Sequence, residues 1–156
     1  MTPGIKALER QGIAHTVHRY EVGESDDRTY GEAVAAAMGA EPATVFKTLV
    51  AQLTGGELVV AVVPVTGTLD LRRLAVIAGA KSAVMADPSL AEKATGYITG
   101  GISPFGQRKR LRTFVDSSAR RHQTVYVSAG RRGLQVQVTP HDLVLATGAT
   151  VAELGR

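Results

Sequence analysis

The chain has 156 residues, a net charge of +4 and no cysteine. That length suits one domain, here 1–156, with its own buried core, and the missing thiols exclude a disulfide framework, a zinc–thiolate site and a cysteine nucleophile. The start, MTPGIKALERQG, lacks an apolar core followed by a small-residue cleavage site, and the longest apolar stretch, LVVAVVPV, is far short of a membrane span, so the expected location is the cytoplasm.

The first expected element is a helix: Thr2 can cap it, Pro3 suits its first position and Gly12 its end. AHTVHRYEV then reads as a strand, and YGEAVAAAMG as a helix closed by Gly39. TVFKTLVAQL, the turn TGG and ELVVAVVPV predict a hairpin. Asp70 caps LRRLAVIAG, and Asp87-Pro88 begins SLAEKATG. A glycine loop, GGISPFG at 100–106, follows. RTFVDSS, TVYVSAG and LQVQV read as strands, with AGRRG as the turn between the last two. Thr139-Pro140 with Asp142 begins a final helix that stops near Gly148. Helices and strands are mixed, and strands joined by short turns must be antiparallel. The expected fold class is α+β: one mixed, curved, partly barrel-like sheet surrounded by helices.

Charge is uneven along the chain. Between Gly100 and Gly133 stand Arg108, Lys109, Arg110, Arg112, Arg120, Arg121, Arg131 and Arg132, against Asp116 as the sole acid. Such a cluster fits a polyanionic partner or a solvated face. There is no G-x-S-x-G elbow and no H-E-x-x-H, and GISPFGQR has Gln107-Arg108 where a phosphate-binding loop needs Lys-Ser/Thr. His15 and His18 stand at odd separation in a predicted strand, so they face opposite ways and do not make a metal pair. Lys47 shares a strand face with Val45, Leu49 and Ala51, so its ammonium either snorkels to water at an edge or enters a pocket as an anion-binding group. The two adjacent glycines of the loop either form a tight turn or leave N–H groups for a developing oxyanion.

Taken together, MTPGIKALERQGIAHTVHRYE, FKTL, GYITGGISPFGQRKRLRTFVD and VYVSAGRRGLQVQV resemble the YbaK/EbsC family, the freestanding Cys-tRNA(Pro) deacylases, over nearly the whole chain. The resemblance implies an editing hydrolase. Binding alone separates small apolar amino acids by only about 10- to 200-fold, so a second, hydrolytic site is needed. In the cysteine-specific branch the substrate's own thiol attacks its carbonyl and the tRNA end leaves. The resemblance implies no cofactor and no metal; its implied partners are the acceptor end of tRNA(Pro) and, transiently, prolyl-tRNA synthetase. By the same resemblance Lys47 holds the ribose or phosphate end, Tyr20 lines the pocket, and the Gly101 backbone faces the ester. Gly100 and Pro104 shape the loop, Ser103 and Thr48 are pocket hydroxyls, and Arg108, Lys109 and Arg110 meet acceptor-end phosphates. Gln135 stands where some members carry an acidic or smaller polar residue, which removes a carboxylate from the substrate's ammonium. An alanine-preferring editor and a non-catalytic binding module of the same fold are the alternatives.

Overall fold

The computed structural model describes residues 1–22 and 29–156. The first helix, α1, spans Pro3–Arg10; Thr2 caps it by accepting from the Ile5 N–H, and donates to the Ala129 carbonyl. The strand expected from residue 14 is shorter: β1 is Thr16–Arg19, after the His15 ring bonds the Ile13 carbonyl. Helix α2, Tyr30–Met38, is capped by Thr29. Strands β2, Phe46–Leu53, and β3, Leu58–Pro64, form the predicted antiparallel hairpin with Val50 opposite Val60. Helix α3, Leu71–Ala78, begins at Asp70, whose carboxylate accepts from the Arg72 and Arg73 N–H groups. A short strand, β4, Ala83–Met85, was not anticipated, and α4, Pro88–Thr95, follows the Asp87 cap.

Strand β5, Arg112–Asp116, is parallel to β3. RTFVDSS is not strand to its end: Asp116 accepts from the Ser118 N–H and starts a 3-10 turn over Ser117–Arg121. Strands β6, Val125–Arg131, and β7, Leu134–Val138, form the second hairpin. Its turn is tighter than AGRRG suggests, because Arg131 still pairs with Leu134 and only Arg132-Gly133 connect them. Helix α5, Pro140–Thr147, and a short β8, Thr150–Ala152, parallel to β5, complete the described chain.

The class is α+β, as expected. The strands divide into two sheets, ordered β1-β7-β6 and β4-β2-β3-β5-β8, and neither closes into a barrel. An isolated parallel bridge between Val45 and Tyr126 joins them. Strand β3 is buried on both faces, which accounts for its unbroken apolar run. Val60 and Val62 pack toward the three-stranded sheet with Phe46, Val127, Val136 and Leu143. Val59, Ala61 and Val63 pack toward α3 with Leu74 and Phe114.

Two features of this frame shape the site. Strand β2 has β3 along one edge throughout, but its other edge is bridged at Val45 and paired with β4 only from Ala51. The stretch between, around Lys47 and Thr48, has no strand beside it on that edge among the described residues. The second feature is the glycine loop, which is fastened from behind. Phe105 is in the main core, the Tyr97 hydroxyl donates to the Phe105 carbonyl, and the Ser103 hydroxyl accepts from the Phe105 N–H. Burial pushes the Tyr97 phenol up to about 12, against a smaller opposing effect of the Ser103 hydrogen bond, so it stays a proton donor.

Candidate functional site

A cavity of about 210 Å³ occupies the gap beside β2. It is smaller than the roughly 300–1,000 Å³ of sites for drug-sized ligands, and suits a single small residue. Its walls come from β2 with Lys47 and Thr48, Met85 and Pro88 where β4 leads into α4, Gly100 of the loop, Tyr30 at the start of α2, and Ser128 and Gln135 of the second hairpin. Ser128 and Gln135 are directly opposed across β6 and β7, so the antiparallel register puts them on one face. Val45, Leu49, Val50 and Ile102 make the rest of the wall largely apolar.

Two polar atoms of these lining residues are buried without a hydrogen-bond partner among the described residues: Thr48 Oγ1 and Gln135 Oε1. Buried polar groups are nearly always paired, and an orphan costs about 1–3 kcal/mol. Gln135 is only 7% exposed. Both residues line the cavity, so a ligand that reached either atom from there would supply the partner that the described residues do not. Lys47 is half-buried here and adds an ammonium to the same wall. Both expectations meet at this position: Lys47 lies on the unpaired edge of β2, and that edge is a wall of the cavity.

The sequence-expected residues separate into two groups. Lys47, Thr48, Gln135 and Gly100 are brought together around the cavity; Tyr20, Gly101, Ser103, Pro104, Arg108, Lys109 and Arg110 do not line it. Gly101 is buried against the second hairpin: a Cβ there would be 2.8 Å from the Arg131 Cα, and its N–H donates to the Ile98 carbonyl at 2.9 Å. That amide therefore closes a turn and does not point at a ligand, whereas among the described residues the Gly100 amide has no partner. Ser103 is fully buried behind the loop. Pro104, Lys109 and Arg110 line a separate depression with Arg10, between α1 and α5. Arg108 is tied by its N–H to the Thr95 carbonyl, at the end of α4. Tyr20 reaches the cavity only through Tyr30, the two phenol oxygens lying 3.2 Å apart.

Tyr30, Thr99 and Ser128 are polar lining residues that sequence reading missed, and Arg132, outside the lining, packs against it. The Arg132 guanidinium lies over the Tyr30 ring, 4.7 Å from its centroid. Burial, then the hydrogen bond and proximity of Tyr20, push the Tyr30 phenol up from its ordinary value, against a smaller opposing pull from Arg132. Tyr30 is thus a neutral hydroxyl at physiological pH. His18 bonds the Gln137 side chain and packs edge-on against Tyr126, and among the described residues no cluster of metal-ligating side chains exists.

The sequence pattern of the aminoacyl-tRNA editing domain matches residues 24–145. The chain belongs to that family. It is 38% identical over 153 residues to EbsC of Enterococcus faecalis, whose name makes it a candidate Cys-tRNA(Pro)/Cys-tRNA(Cys) deacylase; the match covers 98% of this chain and 92% of that one. YwhH of Bacillus subtilis is 26% identical over 112 residues, 72% of this chain and 71% of that one. A solved structure described as a candidate trans-editing enzyme for prolyl tRNA synthetase superposes with a TM-score of 0.85 at 27% identity, covering 100% of this chain and 99% of the other. Among the described residues no helix is long and apolar enough to cross a membrane.

Proposed function

We propose that this editing-domain protein is an aminoacyl-tRNA deacylase that removes cysteine from tRNA(Pro), acting beside prolyl-tRNA synthetase. The observation that carries the reading is that Lys47, Thr48 and Gln135 all line one small, mainly apolar cavity, and that Thr48 Oγ1 and Gln135 Oε1 have no hydrogen-bond partner among the described residues. An aminoacyl ester on a ribose offers complementary groups. Its α-ammonium is a donor for the Gln135 oxygen. Its carbonyl, turning into an oxyanion, is an acceptor for the Thr48 hydroxyl and the Gly100 N–H. The Lys47 ammonium faces the ribose oxygens. The 38% identity to EbsC and the fold shared with the trans-editing structure support the same reading.

The chain has no cysteine, and although the hydroxyls of Thr48 and Ser128 line the cavity, no histidine or carboxylate among the described residues lines it with them to make either a strong nucleophile. The substrate supplies one. Its thiol ionises near pH 8.5, far below an alcohol, and the thiolate is the reactive form. The new S–C bond forms as the C–O bond to the ribose breaks. The ribose oxygen takes a proton, and the cyclic thioester left behind opens with water to give cysteine. The chain's own residues hold the ester, favour the oxyanion and exclude bulk water.

Single-turnover hydrolysis of Cys-, Ser- and Ala-tRNA(Pro) on one tRNA body tests this. Cys-tRNA is expected to turn over fastest, unaffected by chelators or by alkylating reagents applied to the enzyme. Equal rates for all three would replace the thiol with water as nucleophile. Faster Ala-tRNA hydrolysis would make this an alanine editor, and no hydrolysis at all would leave a binding module.

A further inference from the structure

We propose that the Arg132 guanidinium, held on the Tyr30 ring at the mouth of the cavity, binds the phosphodiester that precedes the ester-bearing ribose. The proposal rests on the deacylase reading for the identity of the RNA end, and adds a contact that reading does not contain.

Three independent features fix Arg132 there. The first is the hairpin. Arg131 pairs with Leu134, so Arg132 is the first residue of a two-residue turn and its side chain leaves the sheet. The turn is itself anchored, because the Gly133 carbonyl accepts from the Tyr20 N–H at 3.1 Å. The second is the aromatic platform: Arg132 Cζ is 4.7 Å from the Tyr30 centroid, and the Tyr30 hydroxyl is held by Tyr20. The third is the loop. Gly100 has φ +94°, and a Cβ there would lie 2.7 Å from Arg132 Nε. The guanidinium therefore touches both Tyr30 and Gly100, two of the residues that line the cavity.

The chemistry of this arrangement favours a phosphate. A guanidinium stacked on a ring keeps its N–H edge free and its orientation set, and its fork matches two phosphate oxygens. Arg132 is exposed, so the edge is accessible from solvent. Lys47 lies deeper, half-buried in the cavity wall. The two cations therefore stand at different depths: an ammonium for the ribose and ester, a guanidinium at the rim for the next group along the backbone. In an RNA 3′ end that group is a phosphodiester. Arg108, Lys109 and Arg110 form the denser charge run but do not line the cavity; Arg132 does not line it either, yet it packs against Tyr30 and Gly100, which do.

Two stable probes isolate the contact: 3′-cysteinylamino-3′-deoxyadenosine with a free 5′ hydroxyl, and the same compound carrying a 5′-methylphosphodiester. Neither is cleaved, so calorimetric binding needs no turnover. The full chain is expected to prefer the phosphodiester probe by about 10-fold, the scale of one charge-assisted hydrogen-bond pair. Arg132→Ala is expected to erase that preference while leaving the affinity for the other probe unchanged; Arg132→Lys should retain part of it. Replacing Arg108, Lys109 and Arg110 together by alanine should leave the preference intact. Equal weakening of both probes by Arg132→Ala would make Arg132 a prop for the loop and overturn the proposal. So would a preference that survives Arg132→Ala, one lost in the triple variant, or wild-type protein that shows none. Loss of the preference in Arg132→Ala together with no hydrolysis of Cys-tRNA would leave the phosphate contact standing and remove the deacylase reading.

Discussion

Among the described residues, two sets of buried polar atoms are opposites. Asp116, 6% exposed at the end of β5, has its carboxylate saturated: it accepts from the N–H groups of Leu154, Gly155 and Ser118 and from the Ser118 hydroxyl. Thr48 Oγ1, on β2, and Gln135 Oε1, on β7, have no hydrogen-bond partner among the described residues. Burial alone pushes the Asp116 carboxyl up, but its hydrogen bonds outweigh this and hold it below its ordinary value. The difference separates structure from function. A buried polar group that the fold has fully satisfied stabilises the fold, and one that the fold leaves open is available to a ligand. The contrast can be pressed from either side.

The largest expected effect is on the open side. Lys47→Ala should lower the single-turnover deacylation rate by about 10²- to 10³-fold, the range for removing one preorganised charge-stabilising group. Its thermal midpoint should move little, because the ammonium has no salt-bridge partner among the described residues and the variant leaves β2 and β3 paired. Full activity in a folded Lys47→Ala protein would assign the anion-binding role to another group. A collapse of stability would place Lys47 with Asp116 among the structural polar residues.

A smaller effect is expected on the saturated side. Asp116→Asn keeps one acceptor oxygen but replaces the other with an N–H₂ group facing Ser118. The loss should be about 1–3 kcal/mol of stability, with the deacylation rate per folded molecule unchanged. The pH dependence has a definite sign. The folded-state pKa of Asp116 is depressed, so its contribution is fully present above the unfolded value near 3.9 and is lost as pH falls through the folded value. Wild type and Asp116→Asn should therefore differ by a constant amount in denaturant midpoint from pH 5 upward, about one unit above that unfolded value, and converge in stronger acid. A gap that persists or widens in acid would mean that the charge on Asp116 is not what matters.

Helix starts were legible in the sequence because each has a local chemical cause: Thr2, Asp70, Asp87 and Thr139 all cap as read. The two hairpins were legible from apolar runs around short turns. The short strands β4 and β8 were not, since three residues carry no measurable alternation and their strand state comes from pairing with β2 and β5. The site divided in the same way. Lys47 stood out as a charge among apolar neighbours on its own strand. Thr48 and Gln135 were named through family resemblance, and only the fold shows that both atoms are unpaired. Tyr30, Ser128 and Arg132 depend on how the second hairpin meets α2, a long-range arrangement with no local signal. The glycine loop misled in detail because its composition suits both a cradle and a tight turn, and Gly101 takes the second role.

The smallest expected effect is the sharpest test of the contrast, because it predicts opposite signs for two readouts. Gln135→Leu removes an unpaired buried oxygen and fills about the same space with apolar atoms. An ordinary buried polar residue, cut out of its hydrogen bonds, loses stability; Asp116 should behave this way. Gln135 Oε1 has no bond to lose, so removing its desolvation penalty should leave the midpoint of unfolding unchanged or raise it slightly, by up to about 1 kcal/mol. If the Gln135 oxygen receives the substrate's ammonium, the same change should weaken Cys-ester binding by about 10-fold and appear mainly in KM, since the ammonium is present equally in ground and transition states. Thr48→Val is the companion: a near-isosteric loss of a hydroxyl that bonds nothing in the free protein. Its effect should fall on the rate of the chemical step, because the oxyanion forms only there. A Gln135→Leu protein that unfolds more easily and edits normally would reverse both signs. It would mean that the oxygen is satisfied within the folded chain in solution, and that the cavity takes its substrate by shape and Lys47 alone.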